Sequence, residues 1–458
     1  MTSRFDAVHR STRVVFSDGI RAASVAVQGG KIASVHAYDE RLDAATLHDH
    51  GDCHLLPGLV DTHAHINEPG RTEWEGFVTA TRAAAAGGIT TVVDMPLNSI
   101  PPTVDRPGLS AKQAASAGKL WVDVGLWGGV VPGNTGELSP LFQAGLPGFK
   151  CFLVPSGVDE FPHVERSDLL EALPVIAELG AVLLVHAEVP GPIEAAERAV
   201  LASNPDPRKY STYLSTRPPA AEREAIELCV ELCRQTGARV HIVHFACGDA
   251  VDLLRAAKQE GLPFSAETCP HYLYFEAETI PDGNTAYKCA PPIREARHGA
   301  ALRAALADGS IDFLVSDHSP CVPQLKQLES GSFLEAWGGI ASLQLGLSIA
   351  HTLCQQGELS FAKIAEWMCA APARVAGLSD RKGAIAPGLD ADFAVFDVQR
   401  EWVVRGAELA QRHPTTPYEG HTLTGRVVQT FLRGSKIYDA GQFSEEPQGS
   451  LVAAGAPV

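Results

Sequence analysis

Short apolar runs recur through the middle of the chain, and several carry a polar residue at a place where a buried strand would ordinarily have none. The run Gly58-Leu59-Val60-Asp61-Thr62-His63-Ala64-His65 closes on two histidines. Lys150 sits inside residues 148–154, His186 ends 182–186, His244 ends 240–244, and Asp317 ends 311–317. Runs this short and this rich in β-branched residues read as strands buried on both faces. Any one of these polar residues could be a satisfied core group, and a lone HxH has a real false-positive rate. Five such strands in one chain are hard to explain that way. Side chains two apart on a strand share a face, so His63 and His65 can grip one metal ion.

Eight strands can be counted, ending near His65, Met95, Trp127, Val154, His186, Phe245, Thr268 and Asp317. Helical stretches fall between most of them, at 73–86, 167–179, 220–235 and 249–259. Strand alternating with helix predicts parallel β/α units. Eight units make an α/β fold of the (β/α)8, TIM-like barrel type, roughly 250 residues or more. Active sites in that architecture lie at the C-terminal ends of the strands. The polar residues above come from strands one, four, five, six and eight, all at or toward those ends.

The chain has 458 residues, more than one such barrel needs. Residues 1–56 hold β-rich runs at 13–16, 23–28 and 31–36, broken by Asp18-Gly19 and Gly29-Gly30, which are hairpin signals. Residues 377–444 hold matching runs at 391–396, 402–404, 426–432 and 436–438. The two ends are expected to pair into a small β-sandwich domain, with the barrel, 57–376, inserted between them. The Gly/Pro/Ala-rich tail, 445–458, is expected to be loosely ordered unless a partner subunit holds it. The net charge of −17 argues against nucleic acid or an anionic membrane as partner. No apolar stretch is long enough to span a bilayer, and the first residues lack a signal-peptide core. Ten cysteines without a CxxC pair read as reduced thiols, which predicts a cytoplasmic location.

Neutral His63, His65, His186 and His244 with Asp317 suit zinc or a similar divalent ion. Lys150 is the odd member. Alone it would read as an ordinary salt-bridged lysine, but a buried lysine loses its proton readily. The neutral amine can then take up carbon dioxide as an anionic, bidentate carbamate able to bridge two metals. With a bridging hydroxide, such a site keeps a residual charge of about +1, suited to a developing oxyanion. Asp317 is placed to take a proton from that hydroxide and pass it to a leaving nitrogen. Asp61, two residues before His63, is a candidate orienter of the ligands from behind, or a group bonded only to the backbone.

Taken together, these residues resemble the amidohydrolase superfamily, in its cyclic-amidase branch, over nearly the whole chain. The resemblance extends to Pro387-Gly388-Leu389-Asp390-Ala391-Asp392-Phe393 in the C-terminal β region. It implies one metal on His63, His65 and Asp317, a second on His186 and His244, and Lys150 as the carboxylated bridge. His241 is left as structural. Within the branch the chain is most similar to the allantoinases. The stretches that carry this begin at His65-Ile66-Asn67-Glu68-Pro69-Gly70, Asp94-Met95-Pro96-Leu97-Asn98, Lys150-Cys151-Phe152-Leu153-Val154-Pro155-Ser156 and Glu267-Thr268-Cys269-Pro270-His271.

Dihydroorotases carry an arginine two residues after HxH to pair a substrate carboxylate; here that position is Asn67. Dihydropyrimidinases place an oxyanion-steadying tyrosine in the loop after the bridging lysine; residues 151–164 contain none. The implied small-molecule substrate is allantoin, with Asn98, Ser156 and the loop Lys288-Cys289-Ala290-Pro291-Pro292 at its ring, Cys289 mainly through its backbone. Asn98 also fits a simple turn, in Asn98-Ser99-Ile100-Pro101-Pro102. Relatives of this kind form dimers or tetramers, so a homo-oligomer is implied. The rival readings are a dihydropyrimidinase or hydantoinase of broader range, and a non-catalytic scaffold related to dihydropyrimidinase. Scaffold relatives have lost metal ligands, whereas every ligand position is filled here.

Overall fold

A computed structural model describes residues 5–454. The eight expected strands are present: Leu59–Ala64, Ile89–Asp94, Asp123–Leu126 with Gly128–Gly129, Gly148–Phe152, Val182–His186, Arg239–Ile242, Phe264–Thr268 and Phe313–Leu314. Each pairs in parallel with the next. The third strand is split at Trp127, so its first half pairs with the second strand and its last two glycines with the fourth. A bridge between Ala64 and His318 joins the first strand to the chain beyond the eighth. The His65 N–H donates to the His318 carbonyl at 2.7 Å, and the ring closes there.

Most of these strands are buried throughout, because helices cover the outside and side chains fill the inside. The covering helices follow the same logic. Phe77–Ala86 packs through Phe77, Ala80 and Ala83–Ala86, whose small side chains allow close approach. It starts later than the expected residue 73, since Gly76 at φ 97° lies outside helical backbone. Pro219–Thr236 opens with proline in its first turn and ends at Gly237 in the left-handed conformation.

Both termini build one sheet of nine strands. Phe393–Val403 runs antiparallel to His54–Pro57, pairing Phe393 with Pro57 and Phe396 with His54. That contact joins the N-terminal strands Phe5–Phe16, Gly19–Gln28 and Lys31–His36 to the C-terminal Thr422–Leu432 and Ser435–Asp439. Its core gathers Val14, Val25, Leu55, Phe393, Val395 and Phe431 from the two ends.

The tail departs from expectation. Residues 445–454 are docked and not loose, while 455–458 lie outside the described residues. Gly449 donates to the Leu120 carbonyl at 2.8 Å, and Val452 to the Val124 carbonyl at 2.9 Å. A side chain at Gly449 would put a Cβ 2.0 Å from the Val122 carbonyl oxygen, so only glycine allows this approach. Asp123 secures the junction by accepting from the Ser450 N–H at 3.0 Å.

Asp123 also belongs to a buried charge cluster. The Lys382 ammonium lies 2.7 Å from Asp123, 2.9 Å from Asp390 and 2.6 Å from Asp392. Three carboxylates at such spacing could hold a cation, and Lys382 supplies it. Lys382 pins the barrel to the C-terminal segment, and Asp123 carries the connection on to the tail. Lys382→Met leaves buried carboxylates short of their counter-ion and is expected to cost about 3–5 kcal/mol. Thermal unfolding checks this: the midpoint should fall clearly, and an unchanged midpoint would show that the cluster contributes nothing to stability.

Candidate active site

The sequence-identified polar residues converge on a cavity of about 310 Å³. His63, His65, Lys150, His186, His244 and Asp317 all line it, as do Asn98, Ser156 and Cys289. His63 lies in the first strand and His65 one residue past its end, and both line the cavity. His244 and Asp317 sit just past the observed ends of strands six and eight, not within them. Both have left-handed backbone, φ 40° and 44°, an uncommon state for such residues. This turns the chain as it leaves the barrel.

The donor atoms crowd together. Nε2 of His63 lies 3.2 Å from Asp317 Oδ1, and Nε2 of His65 lies 3.7 Å from the same oxygen. Nδ1 of His186 is 3.0 Å from Nε2 of His244. Lys150 Nζ, His63 Nε2 and His244 Nδ1 are buried with no hydrogen-bond partner. Burial pulls the Lys150 ammonium down to about 8, against the opposing pull of Asp317 and Glu267. Burial pushes the Asp317 carboxyl up to about 6, with His63 and Lys150 acting against it. Buried imidazole nitrogens, an amine and a carboxylate, all lacking full partners, are a donor set that fits divalent cations.

Two carboxylates stand behind the histidines, and the sequence reading gave neither a role. Glu267, on the seventh strand, lies 2.5 Å from His63 Nδ1 and 3.2 Å from His241 Nε2. Burial alone would raise its pKa, but His63 and His241 hold it at about 2. Glu188 lies 2.8 Å from His186 Nε2 and accepts from Arg217 Nη1 at 2.8 Å. A carboxylate on one ring nitrogen fixes the imidazole's orientation and tautomer. Asp61 does something else: it accepts from the backbone N–H groups of His63 and Ser316, both at 3.0 Å. It clips the first strand to the eighth and touches no imidazole through a hydrogen bond. His241 bonds Ser265 and Glu267 and does not line the cavity, in keeping with a structural role.

The residues expected at the substrate ring divide. Asn98 lines the cavity at φ 65°, with Nδ2 3.3 Å from His65 Nδ1 and Oδ1 buried without a partner. It is both turn residue and cavity residue. The Ser156 hydroxyl is spent within its loop on the Phe161 carbonyl at 2.6 Å, which leaves its backbone for a ligand. The Cys289 carbonyl accepts from Tyr213 Oη at 2.7 Å. Asn67 does not line the cavity; its amide donates to the Pro320 carbonyl at 3.3 Å. A tyrosine does line it, but from the helix Tyr210–Thr216 and not from the loop after Lys150.

A family model described as "Amidohydrolase family" matches residues 54–437. The chain belongs to the amidohydrolase family. An allantoinase from Streptomyces avermitilis is 48% identical to it, over 98% of this chain and 99% of that one. An allantoinase from Saccharomyces cerevisiae is 46% identical over 89% and 88%. Among solved structures, the L-hydantoinase (dihydropyrimidinase) from Arthrobacter aurescens matches with TM-score 0.93 and 31% identity, over 98% of this chain and 100% of that one. As an amidohydrolase of this kind, the chain is a hydrolase of cyclic amides with a divalent metal centre. Among the described residues, no helix is long and apolar enough to cross a membrane.

Proposed function

We propose that this amidohydrolase opens the hydantoin ring of allantoin to give allantoate, at two divalent ions held by His63, His65, Lys150, His186, His244 and Asp317. The observation that carries the metal assignment is the set of buried, partnerless donor atoms in one cavity, Lys150 Nζ foremost. The substrate assignment is supported by the 48% and 46% identity to allantoinases.

Lys150 has no hydrogen bond and a lowered pKa, so its neutral amine is accessible. Its lone pair adds to carbon dioxide, one proton leaves, and the resulting carbamate supplies two oxygens that share one negative charge. Zinc suits such a histidine-rich set. Divalent ions held by these residues would supply an activated water at neutral pH and polarisation of a carbonyl. Glu267 and Glu188 hold His63 and His186 in one orientation. Asp317 takes the proton of the attacking water and delivers it to the ring nitrogen as the carbon–nitrogen bond breaks. The ring carbonyl becomes the carboxylate of the product.

The same reading places the enzyme in the cytoplasm as a homo-oligomer of two or four chains. All ten cysteines are free, in keeping with a reducing compartment.

Hydrolysis of allantoin, hydantoin, dihydrouracil and dihydroorotate, measured side by side, tests the substrate. Allantoin is expected first, hydantoin and dihydrouracil far behind, and dihydroorotate last. Sites built to bond a substrate's polar groups reject analogues that leave them unpaired. Equal rates for allantoin and dihydrouracil would overturn the choice of allantoin and leave the metal assignment standing.

A further inference from the structure

The cavity has a polar wall that the hydrolytic steps do not use. Lys288 lies on it, only 8% exposed. Its ammonium has three N–H donors. One reaches the Leu334 carbonyl at 3.2 Å, and Nζ stands 4.9 Å from the centre of the Tyr213 ring. Among the described residues it forms no ion pair within 4 Å. Burial, with Lys326 and Arg217 nearby, pulls it down to about 7.

This lysine is held in place by its own backbone. The Lys288 carbonyl accepts from the Gly339 N–H at 2.8 Å and from Lys326 Nζ at 3.0 Å. Lys326 is itself buried, and it also donates to the Trp337 carbonyl at 3.2 Å. One buried cation thus clamps two cavity loops together and fixes where Lys288 starts. Arg217, the other cation on the wall, is already committed to Glu188. Glu197 lines the wall as well, and its negative charge favours the protonated forms of both Lys288 and Arg217.

A buried ammonium with donors to spare, facing a substrate cavity beside a carboxylate, calls for a ligand group that both accepts and donates. A urea is such a group, with one carbonyl oxygen and several N–H. Hydantoin and allantoin share the ring and differ by an exocyclic ureido group. We infer that Lys288 and Glu197 read this ureido group, the lysine donating to its carbonyl and the glutamate accepting from its terminal amide. The two would be specificity-determining residues, making allantoin the preferred member of the cyclic amides. This rests on the allantoin reading above.

The test is Lys288→Met and Glu197→Gln in the metal-loaded enzyme. For each, kcat/KM is measured for allantoin and for hydantoin, with metal content and circular dichroism recorded alongside. A hydrogen bond to a charged group makes a difference of roughly 10- to 100-fold. The allantoin-to-hydantoin ratio should fall by about that factor in Lys288→Met and about tenfold in Glu197→Gln, chiefly through KM for allantoin. Glu197 is only half-buried, so its substitution keeps the test informative if the lysine variant folds poorly. Proportional loss on both substrates, or no loss on either, would mean that these residues serve the fold alone. A wild-type enzyme inert toward allantoin would overturn the parent reading and this inference with it. An active wild type whose ratio is unmoved in both variants would overturn this inference only.

Discussion

Lys150→Ala is expected to lose allantoin hydrolysis by roughly a thousandfold or more. Bridging charge at a metal pair is worth several kcal/mol in the transition state, and each 1.36 kcal/mol is about tenfold in rate. The structure separates this loss from unfolding. Lys150 is fully buried, yet its Nζ makes no hydrogen bond and no ion pair among the described residues. Truncation therefore strands no partner charge; it leaves a small polar space inside the ligand set. Metal content should fall below two per chain while the circular dichroism spectrum is retained. Acetate or propionate, entering the vacated space as a surrogate bridge, should restore part of the activity. Lys150→Arg should stay inactive with or without them, because guanidinium remains charged and fills the same volume. An active Lys150→Arg enzyme would rule out the carbamate.

The barrel and the residues that line its cavity were legible because period and position say the same thing. His63 and His65 are two apart at the end of a buried strand, and both line the cavity. The eight apolar runs matched eight strands, since a strand buried on both faces has little choice of composition. Strand ends were less legible. His244 and Asp317 lie in left-handed backbone beyond their strands, and propensity cannot foresee such a turn in a histidine or an aspartate.

Glu188 could have been found by the logic that found His65. It stands two residues after His186 and so faces the same way as that strand ends. Glu267 left a fainter trace, an acidic residue inside a buried strand, which signals a partner without saying which. The loop around Lys288 was legible from the resemblance, but Arg217 comes from a segment far from it in the chain, and only the fold brings the two to one wall. The docked tail escaped because main-chain hydrogen bonds hold much of it, and Gly449 looks like any flexible glycine until the Val122 carbonyl is seen beneath it.

Asp317→Asn should be nearly as damaging as Lys150→Ala, for a different reason. The side chain keeps its shape, so contacts with His63 and His65 at 3.2 and 3.7 Å can persist in altered form. What disappears is a negative charge and a site that can hold a proton. General acid–base catalysis contributes about 10²–10⁴-fold on its own. Burial raises the Asp317 carboxyl, with His63 and Lys150 acting against it. The loss should therefore appear in kcat more than in KM. It should also shrink for a hydantoin whose ring nitrogen carries an electron-withdrawing substituent, because such a nitrogen leaves with less help from a proton. If Asp317 only positioned the metal, both hydantoins would suffer alike, and chelation followed by metal titration would show a weakened site. Near-wild-type kcat in Asp317→Asn would remove the residue from the chemistry altogether. The proton would then have to travel by another route, and Glu188 and Glu267, which stand behind the histidines, are already committed to His186 and His63.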